Sequence, residues 1–259
     1  MIVPGMLALV AAATPVTPLQ PIGKWVVDYR ADMCLVGRDF GDASNPTIFA
    51  LKPSVSIDSR SADLFVLVPS SGDKGVHRGV ATVTFQPSGV ARKLDYVSWV
   101  PTGTRQRGYE LPLAGDLTGT LRQSTGVQIE VGKSSFAMAT GKIEPVMTAL
   151  AICIDDLYRS WGVDPAARAV PRENPGAWFS NDNYPAEAKR IGASGRVIVV
   201  LTVAQDGKAT NCRVIESAKN EALDRTTCDL ASRKGRFVPG FYAGNRYAVL
   251  SINWLLFNQ

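Results

Sequence analysis

The chain holds 259 residues, 46% of them apolar and 20% charged, with a formal net charge of +5. That apolar content excludes a disordered chain and suffices for one large or two modest cores. The basic residues stand singly, with no aromatic platform among them, which argues against a nucleic-acid groove.

Residues 1–20 read as a secretory leader. An apolar stretch over 6–13 is followed by small residues of the A-x-A kind that precede a cleavage site, so export is expected. No Lys or Arg precedes the stretch and Pro4 breaks it, which keeps an uncleaved anchoring leader as the alternative. A bilayer span takes about 20 apolar residues. Neither this stretch nor any later one reaches that length, so no integral span is expected.

From residue 21 to 161 the pattern predicts a β-rich domain of unassigned role. Strands are expected over 24–29 and 34–38, then in β-branched runs such as 64–68 and 80–85, continuing to about Phe136. Turn signals at 69–74, 87–89, 101–103 and 115–116 punctuate them, as in a compact and mainly antiparallel sheet. The period then changes. Val146, Met147, Leu150, Ala151, Ile154, Leu157 and Tyr158 recur at three and four, one face of an amphipathic helix over 143–161. Residues 162–177, with Pro165, Pro171 and Pro175, read as an interdomain linker.

A second domain fills 178–259. Tyr184-Pro185 opens a short helix, since a proline in the first turn loses no bond, and Gly192 suits its left-handed exit. The run 197–203 is apolar on both faces and predicts a central, covered strand. Asp206-Gly207 turns the chain into a second strand over 208–216. A capping segment over 217–220 leads to a helix over 221–234, with Leu223, Thr226, Thr227, Leu230 and Ala231 as its inward stripe. A last strand runs from Tyr247 to Phe257. The fold class is therefore α+β: a mainly antiparallel N-terminal β domain with a closing helix, then a three-stranded antiparallel sheet with two helices. From Trp178 onward eleven Lys and Arg face seven Asp and Glu, whereas 17 and 16 nearly balance elsewhere, so the basic excess belongs to this second domain. Such an excess suits acidic peptides or anionic lipid head groups, the alternative being a solvated, solubilising surface.

Four cysteines in an exported chain imply disulfides, with three connectivities open. The preferred one joins Cys212 to Cys228, strand to following helix, and Cys34 to Cys153, closing a long loop in the first domain.

Catalytic readings fail on supply. His77 is the only histidine and sits in a Gly-rich turn, so no nucleophile–His site or zinc set can be assembled around it. Gly132-Lys133-Ser134 lacks the glycine spacing of a phosphate loop, and Asp155-Asp156 and Asp224 with Asp229 lie on predicted helices, where exposed carboxylates are ordinary. No enzyme, metal or cofactor is expected.

The order Tyr184-Pro185, Gly195, Asp206-Gly207, Leu223-Asp224, Arg236-Phe237-x-Pro239 and Phe257 resembles the TonB C-terminal domain family over about 75 residues. The departures, Ser217-Ala218-Lys219, Pro239-Gly240 and Gly244-Asn245-Arg246, fall in turns. The resemblance implies a Gram-negative periplasmic module that takes an extended segment of an outer-membrane TonB-dependent receptor by strand addition, in transmembrane transport of nutrients. The edge it implies is the last strand, with Tyr247, Val249, Ser251, Asn253 and Leu255 as the outward row. The transducers of that family carry an uncleaved membrane helix and a long Pro-rich spacer; neither is read here, so coupling to the proton motive force is not expected. The alternative is an envelope structural or adaptor protein whose edge meets another partner or a second copy.

Overall fold

A computed structural model describes residues 16–56 and 61–256; the leader stretch 6–13 and Phe257 lie outside the described residues. Nine strands make the first sheet: β1 (Pro21–Tyr29), β2 (Cys34–Phe40), β3 (Thr47–Pro53), β4 (Ala62–Pro69), β5 (His77–Gln86), β6 (Val90–Trp99), β7 (Gln106–Leu113), β8 (Gly126–Val131) and β9 (Ser134–Met138). Their order is β1-β2-β3-β4-β7-β6-β5-β8-β9, every pair antiparallel. Alternate residues point inward, as in β4, where Ala62, Leu64 and Val66 are buried between half-buried neighbours. The two ends of the sheet meet. Leu19, just before β1, donates its amide to Ala137 O at 2.8 Å and accepts from Ala139 N at 3.0 Å, closing the sheet into a barrel.

Helix α1 (Gly115–Arg122) replaces what the sequence marks only as a turn at 115–116. Its two glycines hide the helix from propensity, but Leu117 and Leu121, one turn apart, both bury against the barrel core. Helix α2 (Glu144–Ser160) buries the expected stripe, except that Cys153 takes the place of the exposed Ala151. It closes the barrel core. Tyr158 donates to Val55 O at 2.9 Å from a buried site that pushes its phenol up to about 12. Cys34 is bonded to Cys153, tying β2 to α2.

The second domain contains α3 (Ala186–Arg190), β10 (Gly195–Val203), β11 (Ala209–Glu216), α4 (Glu221–Lys234) and β12 (Arg246–Trp254), with sheet order β11-β10-β12. Asn220 caps α4 by accepting from Leu223 N at 3.2 Å. Thr226 is only half-buried, and Ala222 completes the inward stripe instead. The hairpin turn requires glycine at 207, where φ is +86° and a Cβ would come 2.2 Å from Phe237 O. Cys212 is bonded to Cys228, joining β11 to α4.

The sheet buries both faces. Val197, Val199, Leu201 and Leu250 pack with α4, Trp178 and Phe237. Ile198, Val200 and Val249 belong to the barrel's own core cluster. A strand apolar on both sides is thus explained by two different neighbours, one of them the first domain. The proline-bearing stretch 162–177 is not a free spacer. Ala169 is fully buried, and residues 169–172 bond to Tyr247, Arg236 and Val238.

Candidate functional site

The last strand ends at Trp254, earlier than the sequence predicts, because its partner β10 begins at Gly195, which lies opposite Trp254. Leu255 therefore falls beyond the ladder, about half exposed, and does not share the row expected for it. The other four do share one. Tyr247 O and Ser251 N both point away from β10, so Tyr247, Val249, Ser251 and Asn253 turn their backbone groups outward while the even-numbered residues bond β10. In an antiparallel edge that parity also puts the four side chains on one face. Here that face is the barrel side, where Val249 is fully buried and Tyr247 half-buried.

Two contacts from the same chain occupy the row. Ala169 N donates to Tyr247 O at 2.7 Å, a parallel bridge between the linker and the start of β12. Ser56 Oγ accepts from Ser251 N at 2.9 Å. Beyond them, a groove of about 420 Å³ runs between Ser251 and Asn253 on one side and the β3–β4 end of the barrel on the other, with Pro53, Val55 and Leu113 in its wall. Arg196 closes its floor, paired with Asp32 of the first domain and with Glu216 at 2.8 Å.

The opposite edge differs. Since odd residues of β10 serve β12, its even residues Val200 and Thr202 serve Arg213 and Asn211, leaving Cys212 and Val214 turned outward. Among the described residues no backbone group pairs with theirs. Register shifts near both ends of β11 twist this edge, a common way of blunting a free strand.

The motif residues build the module and do not line the groove. Tyr184 packs edge-on against Trp254 with centroids 5.3 Å apart and donates to Ala193 O. Pro185 stands at the N-cap position of α3, and Gly195 leaves room for Ala218, whose Cβ would lie 3.0 Å from an added one. Asp206 accepts from Lys208 N at 3.0 Å, and that bond, with Lys208 and Arg236 nearby, holds its carboxyl below the usual range. Asp224 accepts from Ala218 N at 3.0 Å, fixing the turn before α4. Leu223 and Phe237 are core, Arg236 donates to Arg233 O and Gly235 O, and Pro239 lies exposed in the loop.

Residues weighed for catalysis are dispersed. His77 is exposed at the start of β5 beside Asp73, Asp155 pairs with Arg168, and Asp156 pairs with Arg159 at 2.7 Å. Gly132 and Lys133 form the β8–β9 turn. No group of three or more His, Cys, Asp or Glu among the described residues is placed to hold a metal ion, and no described helix is long and apolar enough to cross a membrane. Ser56 and Ala169, whose hydroxyl and amide meet the β12 row, carry no sequence signal: one is a loop serine, the other one of three alanines between Pro165 and Pro171.

The second domain is similar in sequence to known proteins. The profile of the Gram-negative bacterial TonB protein C-terminal family matches residues 180–256. Protein TonB from two strains of Xanthomonas campestris pv. campestris is 38% identical over 65 residues, which make up 25% of this chain and 29% of each relative. The chain thus spans less than a third of the length of those relatives. The solution NMR structure of the Pseudomonas aeruginosa TonB CTD is 30% identical, covering 29% of this chain and 79% of that one, with a TM-score of 0.25.

Proposed function

Residues 180–256 are a TonB C-terminal domain, and on that premise we propose that the protein is a non-enzymatic component of the Gram-negative periplasm that captures an extended segment of an outer-membrane receptor along β12, in TonB-type transport. One observation carries the reading. Among the described residues, the outward row of β12 meets the linker at Tyr247, through the Ala169 amide and the Arg168 bridge, and the Ser56 hydroxyl at Ser251. Each such bond contributes about 1 kcal/mol net. A guest strand that supplies several amides and carbonyls outweighs both, and the groove beside Ser251 and Asn253 gives it entry.

A second reading is favoured by the Ala169 contact itself: an envelope adaptor in which the chain's own linker fills the edge and the module serves another partner or a second copy. A photoreactive residue at Asn253 of the full chain, which is exposed at the groove, separates the two. Adducts with outer-membrane receptors in whole cells support capture. Adducts confined to other envelope proteins or to a second copy refute it in favour of the adaptor.

A further inference from the structure

We propose that the β10–β11 hairpin end of the C-terminal module carries a docking surface for an anionic phospholipid bilayer. Residues 170–172 lie antiparallel to 236–238: Val238 N donates to Val170 O at 2.8 Å and Arg172 N to Arg236 O at 2.9 Å, with Pro171 opposite Phe237. Side chains alternate along such a pair, so burying Phe237 turns Val170, Arg172, Arg236 and Val238 outward together. Val170 is 57% exposed and Val238 45%, and the neighbouring Phe241 is 81% exposed.

Three arginines ring these apolar groups, each held by backbone carbonyls. Arg172 Nε donates to Phe237 O at 3.1 Å, Arg236 Nη1 to Gly235 O at 2.8 Å, and Arg246 Nη1 to Val238 O at 2.9 Å. Carbonyls orient a guanidinium without cancelling its charge. Two carboxylates lie near: Asp206, which also pairs with Lys208 at 3.3 Å, and Asp164, which accepts from the Tyr242 hydroxyl. Two basic residues of the second domain, Arg236 and Arg246, and Arg172 of the linker thus stand beside protruding apolar side chains.

That pairing selects the partner. An acidic peptide needs a wall against which to lie, and a ring as exposed as Phe241 stands out from its loop rather than lining a cleft. A bilayer interface takes a protruding aromatic into the acyl boundary while its phosphates meet the arginines bidentately. The surface lies at the Tyr247 end of β12, so docking leaves Ser251 and Asn253 free. It does not depend on receptor capture.

The test is co-sedimentation of the full chain with phosphatidylcholine vesicles containing about 30% phosphatidylglycerol, against phosphatidylcholine alone, at low salt. Binding should appear only with phosphatidylglycerol and weaken as salt rises. Phe241→Ala should weaken it about tenfold. The triple variant Arg172→Gln, Arg236→Gln, Arg246→Gln should weaken it about a hundredfold, from about fivefold per arginine. A control that removes three cations elsewhere, Arg190→Gln, Lys219→Gln, Arg225→Gln, should lose far less. An unchanged thermal transition shows that each variant is folded, and Phe241→Ala decides alone if the triple variant is not. The proposal is overturned by absent binding, by equal loss in the control, or by an unaffected Phe241→Ala. In the last case, binding to soluble polyglutamate would assign the surface to an acidic polypeptide.

Discussion

The nine-stranded sheet and the three-stranded sheet dispose of their edge strands in different ways. In the first, Leu19 joins β9 and the sheet closes, so the barrel's backbone is satisfied by itself. In the second, β11 stays open and twisted, while β12 is occupied by single contacts from the linker and from Ser56. Closure permits no guest. Under the proposed function, contacts from the same chain on β12 would be displaced by a longer guest strand, which the closed barrel could not admit.

The largest effect that would sharpen this contrast comes from the two disulfides. Replacing Cys34 and Cys153 with alanine opens a crosslink of sequence separation 119 and should cost about 5 kcal/mol, whereas Cys212 and Cys228, separated by 16, should cost about 3 kcal/mol. Urea midpoints of the two double variants measure the difference. A larger loss from the Cys212 pair would mean that the barrel does not depend on its tie to α2.

At the edge itself, Ser56→Ala removes the acceptor of one outward amide, a change of about 1 kcal/mol. Hydrogen exchange of Ser251 N–H should quicken about fivefold, while Leu250, bonded inward to β10, stays protected. Equal protection in the variant would show that the row is sealed by something other than Ser56. Loss at both positions would show that the whole strand has loosened.

The smallest effect lies on the closed sheet. Burial, aided by nearby Asp63, raises the Glu110 carboxyl above its ordinary value of 4.5. The folded state therefore holds that proton more tightly than the unfolded one, and the resulting stabilisation is present below pH 4.5 and lost as pH rises through the folded value. Glu110→Gln, which keeps the protonated shape, should raise Tm by less than about 2 °C at neutral pH, with the gap vanishing in acid. A gap that persists in acid would trace the effect to packing instead.

How much of this was legible beforehand depended on the range of the forces involved. Local chemistry placed α4 to the residue, because Asn220 is a cap and the apolar period begins after it. The turn at Asp206-Gly207 also followed from its neighbours, and of the three connectivities left open the preferred one is formed. Helix α1 escaped because two glycines lower its propensity and only distant packing of Leu117 and Leu121 recovers it. Three prolines made residues 162–177 look like a spacer, whereas the buried Ala169 and its bond to Tyr247 make it part of the candidate site. Barrel closure rests on backbone bonds, and the covering of Val249 on side-chain packing, between residues more than a hundred positions apart, which no periodicity reports.

Leu19 and Cys34 both wait for mates that are synthesised far later, Ala137 and Cys153. Until α2 emerges, the thiol at 34 has no proper companion, and the opening strand has nothing on its outer flank to hold it. Such long-range contacts predict slow assembly of the first domain. Wherever an oxidant acts, it must be patient enough to find the chain already rolled up.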